Sequence, residues 1–281
     1  MHAAAPILCA GVTVYKALKE IGGNCGDFVV IPGAGGGLGH LACQYARSMG
    51  YRVIAIDSGD DKRKLVASYG IKDFIDFKEG NVKEKVFEAT EGRGAHASVV
   101  VASGGDAYAD ALSFLRPHGA VVLVGLPKDT YITAEVFGSV LNSHRIIGSY
   151  VGNRQDSIEA LKLAAAGDVT TTYTIEKLDN LPSVFERMAA GKLAGRIVLD
   201  CELHRNWQEE NALTLAGALA PSAHSVVKDC PPLVVAVGLV ELAPIPVGDA
   251  VASTYFCIVI FASSGGAAAK AYVSGDPDGE E

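Results

Sequence analysis

The chain has 281 residues, 49% of them hydrophobic, with 32 acidic and 24 basic side chains and a formal net charge of −8. That length can bury one large core or two modest ones, and the composition is that of a soluble globular protein. Residues 1–200 are nearly neutral, with 21 basic and 22 acidic side chains, whereas 201–281 carry 3 and 10, so no basic stripe argues for a nucleic-acid partner.

Elements follow in chain order. In 6–21, Val14, Leu18 and Ile21 recur at helical spacing, and Gly22-Gly23 gives a stop. "DFVVI" (27–31) is a short apolar strand that runs into "PGAGGGLG" (32–39). The next helix carries Leu38, Leu41, Tyr45 and Met49 on one face. Strands at 52–57, 73–77, 97–102, 120–125 and 146–151 alternate with helices at 60–70, 82–90, 106–116 and 134–141. Apolar strands alternating with helices predict a doubly wound parallel sheet covered on both faces. Two amphipathic helices at 157–166 and 182–190 and a strand at 195–200 come next. Beyond Asp200 the chain turns acidic and Pro-rich, with six of the eleven prolines, and is expected to be poorly ordered. Within it, 250–269 is an uncharged run long enough to span a bilayer. Its serines and glycines favour an apolar, self-associating segment over a membrane helix.

The cysteines (9, 25, 43, 201, 230 and 257) show no C-x-x-C pair and no short Cys/His cluster, so they do not read as a disulfide framework or a complete zinc site. No signal-peptide pattern opens the chain, and a cytoplasmic setting is the expectation. Cys9 has two readings, a buried core thiol or a metal ligand whose partners lie elsewhere. His40, His96, His118 and His144 each stand alone in the sequence and are expected in hydrogen-bonded or surface roles.

Chemistry concentrates between the first strand and the second helix. Gly33, Gly36 and Gly39 stand three residues apart there, where a chain without Cβ atoms can turn tightly and bring a pyrophosphate to a helix N-terminus. The spacing departs from G-x-G-x-x-G, and it gains meaning from the flanking strand and helix. Asp57 closes the second strand 21 residues after Gly36, where a carboxylate accepts both hydroxyls of an adenosine ribose. That anion repels a 2′-phosphate and favours NAD over NADP. Lys62 stands either near the same ribose or, with Arg63 and Lys64, on a solvated helix face.

The stretches "AAPILCAGVTVYKAL", "GAGGGLGHLACQYARSMGYRV", "VVLVGLP", "IIGSYVGNR" and "AGRIVLD" carry a resemblance. Residues 3–200 resemble the cofactor-binding part of the zinc-containing medium-chain alcohol dehydrogenases, most closely the fungal ethanol-type enzymes. The resemblance implies a Rossmann-type fold and hydride transfer between a small alcohol or its aldehyde and NAD(H). It places Gly36, Gly37, Leu38, Asp57 and Lys62 on the adenosine and pyrophosphate side. Val124, Leu126, Ser149 and Val151 fall on the nicotinamide side, and Arg196 on the pyrophosphate. Cys9 matches the third ligand of the catalytic zinc.

The family's preceding catalytic domain has no counterpart here, and 201–281 resemble nothing in the family. Four segments are therefore expected: a linker helix at 1–21, an NAD-binding domain at 22–151, elements at 152–200 that would pack on the catalytic domain, and the tail. On that basis Met1 is expected to be an internal methionine of a longer coding region, and this chain alone is expected to be inactive and without zinc. A family member would be homo-oligomeric. A non-catalytic NAD-binding module and a zinc-free quinone or enoyl reductase are the other readings, and Cys9 in "PILCAG" speaks against the latter.

Overall fold

The computed structural model describes residues 2–127, 129–191 and 193–200, with the backbone of 237–240 and 256–259. A π-helical turn, Ile7–Gly11, leads into α1 (Val12–Glu20). Alternation then begins with β1 (Phe28–Pro32), α2 (Gly39–Ser48), β2 (Arg52–Asp57), α3 (Asp60–Ser68), β3 (Asp73–Asp76) and α4 (Val82–Ala89). It continues with β4 (Ala95–Val100), α5 (Asp106–Asp110), β5 (Leu115–Leu123), α6 (Val136–Asn142), β6 (Arg145–Gly148) and α7 (Arg154–Ala165). After these come β7 (Tyr173–Lys177), α8 (Leu181–Ala189), β8 (Arg196–Asp200), β9 (Val237–Val240) and β10 (Phe256–Val259).

Six strands form one parallel sheet in the order β3-β2-β1-β4-β5-β6, the doubly wound arrangement of a Rossmann fold. Alternate side chains of each strand serve opposite faces. Val29 and Ile31 of β1 join Val53, Ala55, Val99 and Val122 on one face, while Phe28 and Val30 join Ile54, Ile56, Val100 and Val121 on the other. The first face is covered by α1, α2 and α7 through Leu18, Tyr45 and Ala160. Val86, Tyr108 and Phe114 cover the second. Two-sided burial is why these strands are uninterrupted apolar runs, each buried Val or Ile contributing about 1.5–3 kcal/mol.

Several elements differ from the sequence expectation. The helix at 106–116 shortens to five residues, because Leu115 already pairs with Ala95 at the start of β5. The pairing passes a register shift between Ala95 and Ala97, and His118 takes φ +61° just beyond. β7 has a half-exposed pattern without an apolar run, and it becomes a strand by pairing in parallel with β8. α7 is capped by a reciprocal Asn153–Asp156 box and held to α1, where Lys19 reaches Asp156 and Glu159, each at 2.8 Å. Leu161, Phe185 and Met188 are part-buried, Leu161 packed against the first cluster and Met188 beside Val184 and Leu199. On α6, Val136, Phe137, Val140 and Leu141 are 71–76% exposed.

No helix among the described residues is long and apolar enough to cross a membrane. The tail expectations, including the run at 250–269, lie outside the described residues apart from the β9–β10 pair.

Candidate functional site

The order of the sheet reverses between β1 and β4, and in open α/β sheets the crevice at the carboxyl ends of such strands takes the ligand. Gly33 opens the turn after β1 with φ +88°, and a Cβ there would stand 2.9 Å from the N and Cα of Ala102, just beyond β4. A Cβ on Gly39 would overlap the Gly33 carbonyl. These two close approaches let α2 begin directly against the strand end. Its N-terminus has no side-chain cap, leaving backbone N–H groups for an anion.

Asp57, buried at the end of β2, meets this turn directly. Its Oδ2 accepts the Gly35 N–H at 2.8 Å, and Oδ1 accepts the Ser58 N–H at 2.9 Å and the Lys62 ammonium at 2.8 Å. Lys62 therefore lies on Asp57, while its neighbour Arg63 turns to Glu79 at 3.4 Å. Gly35 was not singled out by the sequence. Its position inside the glycine run was the available signal.

From the far end of the described chain, Arg196 reaches the same turn. Its Nε donates to the Gly37 carbonyl at 3.1 Å. Desolvation lowers the guanidinium to about 10, so it remains a cation at neutral pH. His40, on the first turn of α2, is fully buried. Its Nδ1–H donates to the Gly36 carbonyl at 3.0 Å, and its Nε2 accepts the Thr172 N–H at 3.3 Å. Burial carries this imidazole down to about 4, so it is neutral.

The residues expected on the nicotinamide side lie at the ends of β5 and β6. The N–H of Val124 donates to the Val100 carbonyl at 3.2 Å, and that of Ser149 to the Leu123 carbonyl at 3.0 Å. Ser149 is buried and its hydroxyl has no protein partner. Val151 holds φ +48°, a left-handed conformation that a β-branched residue rarely adopts and that is found at ligand sites. Leu126 is exposed beside them. The glycine cradle, the carboxylate at β2, the cation at Gly37 and the orphaned Ser149 hydroxyl fit a dinucleotide.

Zinc fits less well. Cys9, which the sequence leaves as a core thiol or a metal ligand, is part-buried on the π-helical turn. It lines a cavity of about 30 Å³ with Arg196 and Val198. Among the described residues, no three His, Cys, Asp or Glu side chains are grouped to hold a metal ion.

Comparison with known proteins agrees with this geometry. Residues 37–166 match a family described as zinc-binding dehydrogenase. An alcohol dehydrogenase of Schizosaccharomyces pombe is 47% identical over 201 residues, covering 71% of this chain and 57% of that protein. Alcohol dehydrogenase 1 of Emericella nidulans is 46% identical over 202 residues, 71% of this chain and 58% of that one. The chain thus spans less than two thirds of these relatives. Among solved structures, an alcohol dehydrogenase from Aeropyrum pernix superposes with a TM-score of 0.64 at 29% identity, covering 68% of this chain and 56% of that one. Over its cofactor-binding part the chain is similar to the zinc-type medium-chain alcohol dehydrogenase family.

Proposed function

We propose that residues 22–151, completed by Arg196, bind NAD(H), and that the chain is the cofactor-binding part of an enzyme oxidising a small alcohol to its aldehyde or ketone. The observation that carries this reading is the buried Asp57 carboxylate bonded to Gly35 of the glycine turn. Asp57 offers its oxygens to a ribose diol, and Lys62 holds that carboxylate in place at 2.8 Å. The Arg196 cation and the α2 N-terminus take the pyrophosphate charge. Val124, Leu126, Ser149 and Val151 orient the ring end. NAD, when bound, supplies the hydride acceptor.

An anion at Asp57 also supports NAD over NADP. Zinc belongs in this reading to the intact family enzyme, whose further ligands come from its catalytic domain, and no step is assigned to it here. The same reading carries the expectation of a cytoplasmic setting and, from the family resemblance, of a homo-oligomer. A second reading is a non-catalytic NAD-binding module. Calorimetry with NADH and NADPH tests the cofactor site: tighter NADH is expected, and failure to bind NADH overturns it. Absorbance of NADH formed from NAD and ethanol, once a family catalytic domain is joined in front of the chain, separates the two readings.

A further inference from the structure

We infer that His40 is a positioning residue for the cofactor pyrophosphate: its neutral ring ties the glycine turn to Thr172 and so fixes Arg196 beside Gly37. The inference rests on the cofactor reading above. Four hydrogen bonds close a circuit. His40 Nδ1–H donates to Gly36 O at 3.0 Å, Thr172 N–H donates to His40 Nε2 at 3.3 Å, Arg196 N–H donates to Thr172 O at 2.9 Å, and Arg196 Nε–H returns to Gly37 O at 3.1 Å.

Other contacts dock this segment as well: the Gly195 N–H donates to the Gly35 carbonyl at 3.3 Å, and β7 pairs with β8 from Tyr173 and Arg196 onward. Gln44 brackets Thr170 through its N–H at 2.8 Å and its carbonyl at 2.9 Å. Tyr69 bonds the Thr172 hydroxyl, and its ring lies tilted 6.2 Å from that of His40. His40 alone among these side chains bonds both the glycine turn and the backbone of the residue that holds Arg196. The ring is fully buried, so water does not replace either bond. Because Thr172 presents an N–H, Nε2 must be bare and Nδ1 must carry the proton.

Two substitutions separate this role from simple packing. His40→Gln keeps an acceptor near the Nε2 position, whereas His40→Asn keeps a donor near Nδ1 and loses the reach to Thr172. NADH affinity of the full chain, by fluorescence titration, is expected to stay within about threefold in His40→Gln and to fall about tenfold in His40→Asn, the scale of one lost buried hydrogen bond. Arg196→Gln added to His40→Asn should cost little more than either change alone. Equal affinities of the two His40 variants, or effects that multiply in the double variant, would overturn the inference. If the variants do not fold, imidazole ¹⁵N shifts of the native chain decide it: Nδ1 protonated and both nitrogens shifting on NADH supports it, and an Nε2-protonated ring sinks it. A native chain that ignores NADH removes the cofactor reading itself; NADH binding with equal His40 variants removes only this role.

Discussion

Lys62 and Asp57 meet at 2.8 Å, ammonium on Oδ1, with the carboxylate buried and the lysine partly open to solvent. In the proposed reading, an incoming ribose meets an anion already balanced by one cation. Replacing Asp57 with Gly would release Lys62 to face a 2′-phosphate. The preference for NADH over NADPH is expected to narrow by about tenfold or more, the scale of one charge-assisted bond lost and one gained. Calorimetry on native and Asp57→Gly proteins measures it, and an unchanged ratio would exclude Asp57 from the ribose site.

Gly39 has no room for a side chain, since its Cβ would overlap the Gly33 carbonyl and crowd the Ala34 backbone. Gly39→Ala must therefore push α2 away from β1. A loss of about 1–3 kcal/mol is expected from overpacking, read as a lower urea midpoint at constant slope. A native midpoint would mean that the turn yields freely.

Acid should loosen the fold before its carboxylates titrate. An unfolded histidine takes its proton near 6.5, but burial holds His40 neutral down to about 4. Its contribution is whole above 6.5 and is withdrawn as pH falls towards 4, by about 3 kcal/mol at the end of that window. Burial lowers His96 as well, in the same direction. Below about 4 a second loss begins at Asp156, where burial alone would raise the carboxyl but Lys19 and the Asn153 N–H outweigh it. Melting temperatures should drop between pH 6.5 and 4, and less steeply in His40→Gln. A flat profile across that window would contradict a neutral, buried His40.

Metal analysis of the reduced chain should find no stoichiometric zinc, and ethanol with NAD should yield no NADH. A catalytic zinc takes about three protein ligands and an open position. Cys9, even as a thiolate, supplies one, and the described residues group no others. One zinc per chain, lost in Cys9→Ser, would overturn this, as would turnover by the purified protein.

The exposed side chains of α6 should bind a hydrophobic dye. Val136, Phe137, Val140 and Leu141 lie together on seven residues of helix, a contiguous apolar surface of the kind soluble monomers seldom leave bare. Phe137→Ser with Leu141→Ser should cut dye fluorescence by more than half. Undiminished fluorescence would place the dye elsewhere.

How much could be read in advance varies with how local the cause is. Strands β1, β2 and β4 were legible because burial on both faces demands apolar runs such as "FVVI" and "VIAI". The glycine turn and Asp57 were legible because each sits at a strand end, where sequence position and site coincide. β7 and the early start of β5 were not, since pairing with β8 and β4 creates them and their own residues carry little signal. The same holds for the link from His40 to Thr172, which spans 132 residues and leaves no motif.

Arg196 and Gly37 are 159 residues apart, although their side chain and carbonyl touch. All six strands of the main sheet have been synthesised once Gly148 is added, well before Arg196 leaves the ribosome. The interval is roughly 2–10 seconds at ordinary elongation rates. A nascent chain therefore carries a finished sheet with an open anion cradle, and its grip on the nucleotide arrives last. Chains stalled or clipped between these points would keep the fold and lose the clasp.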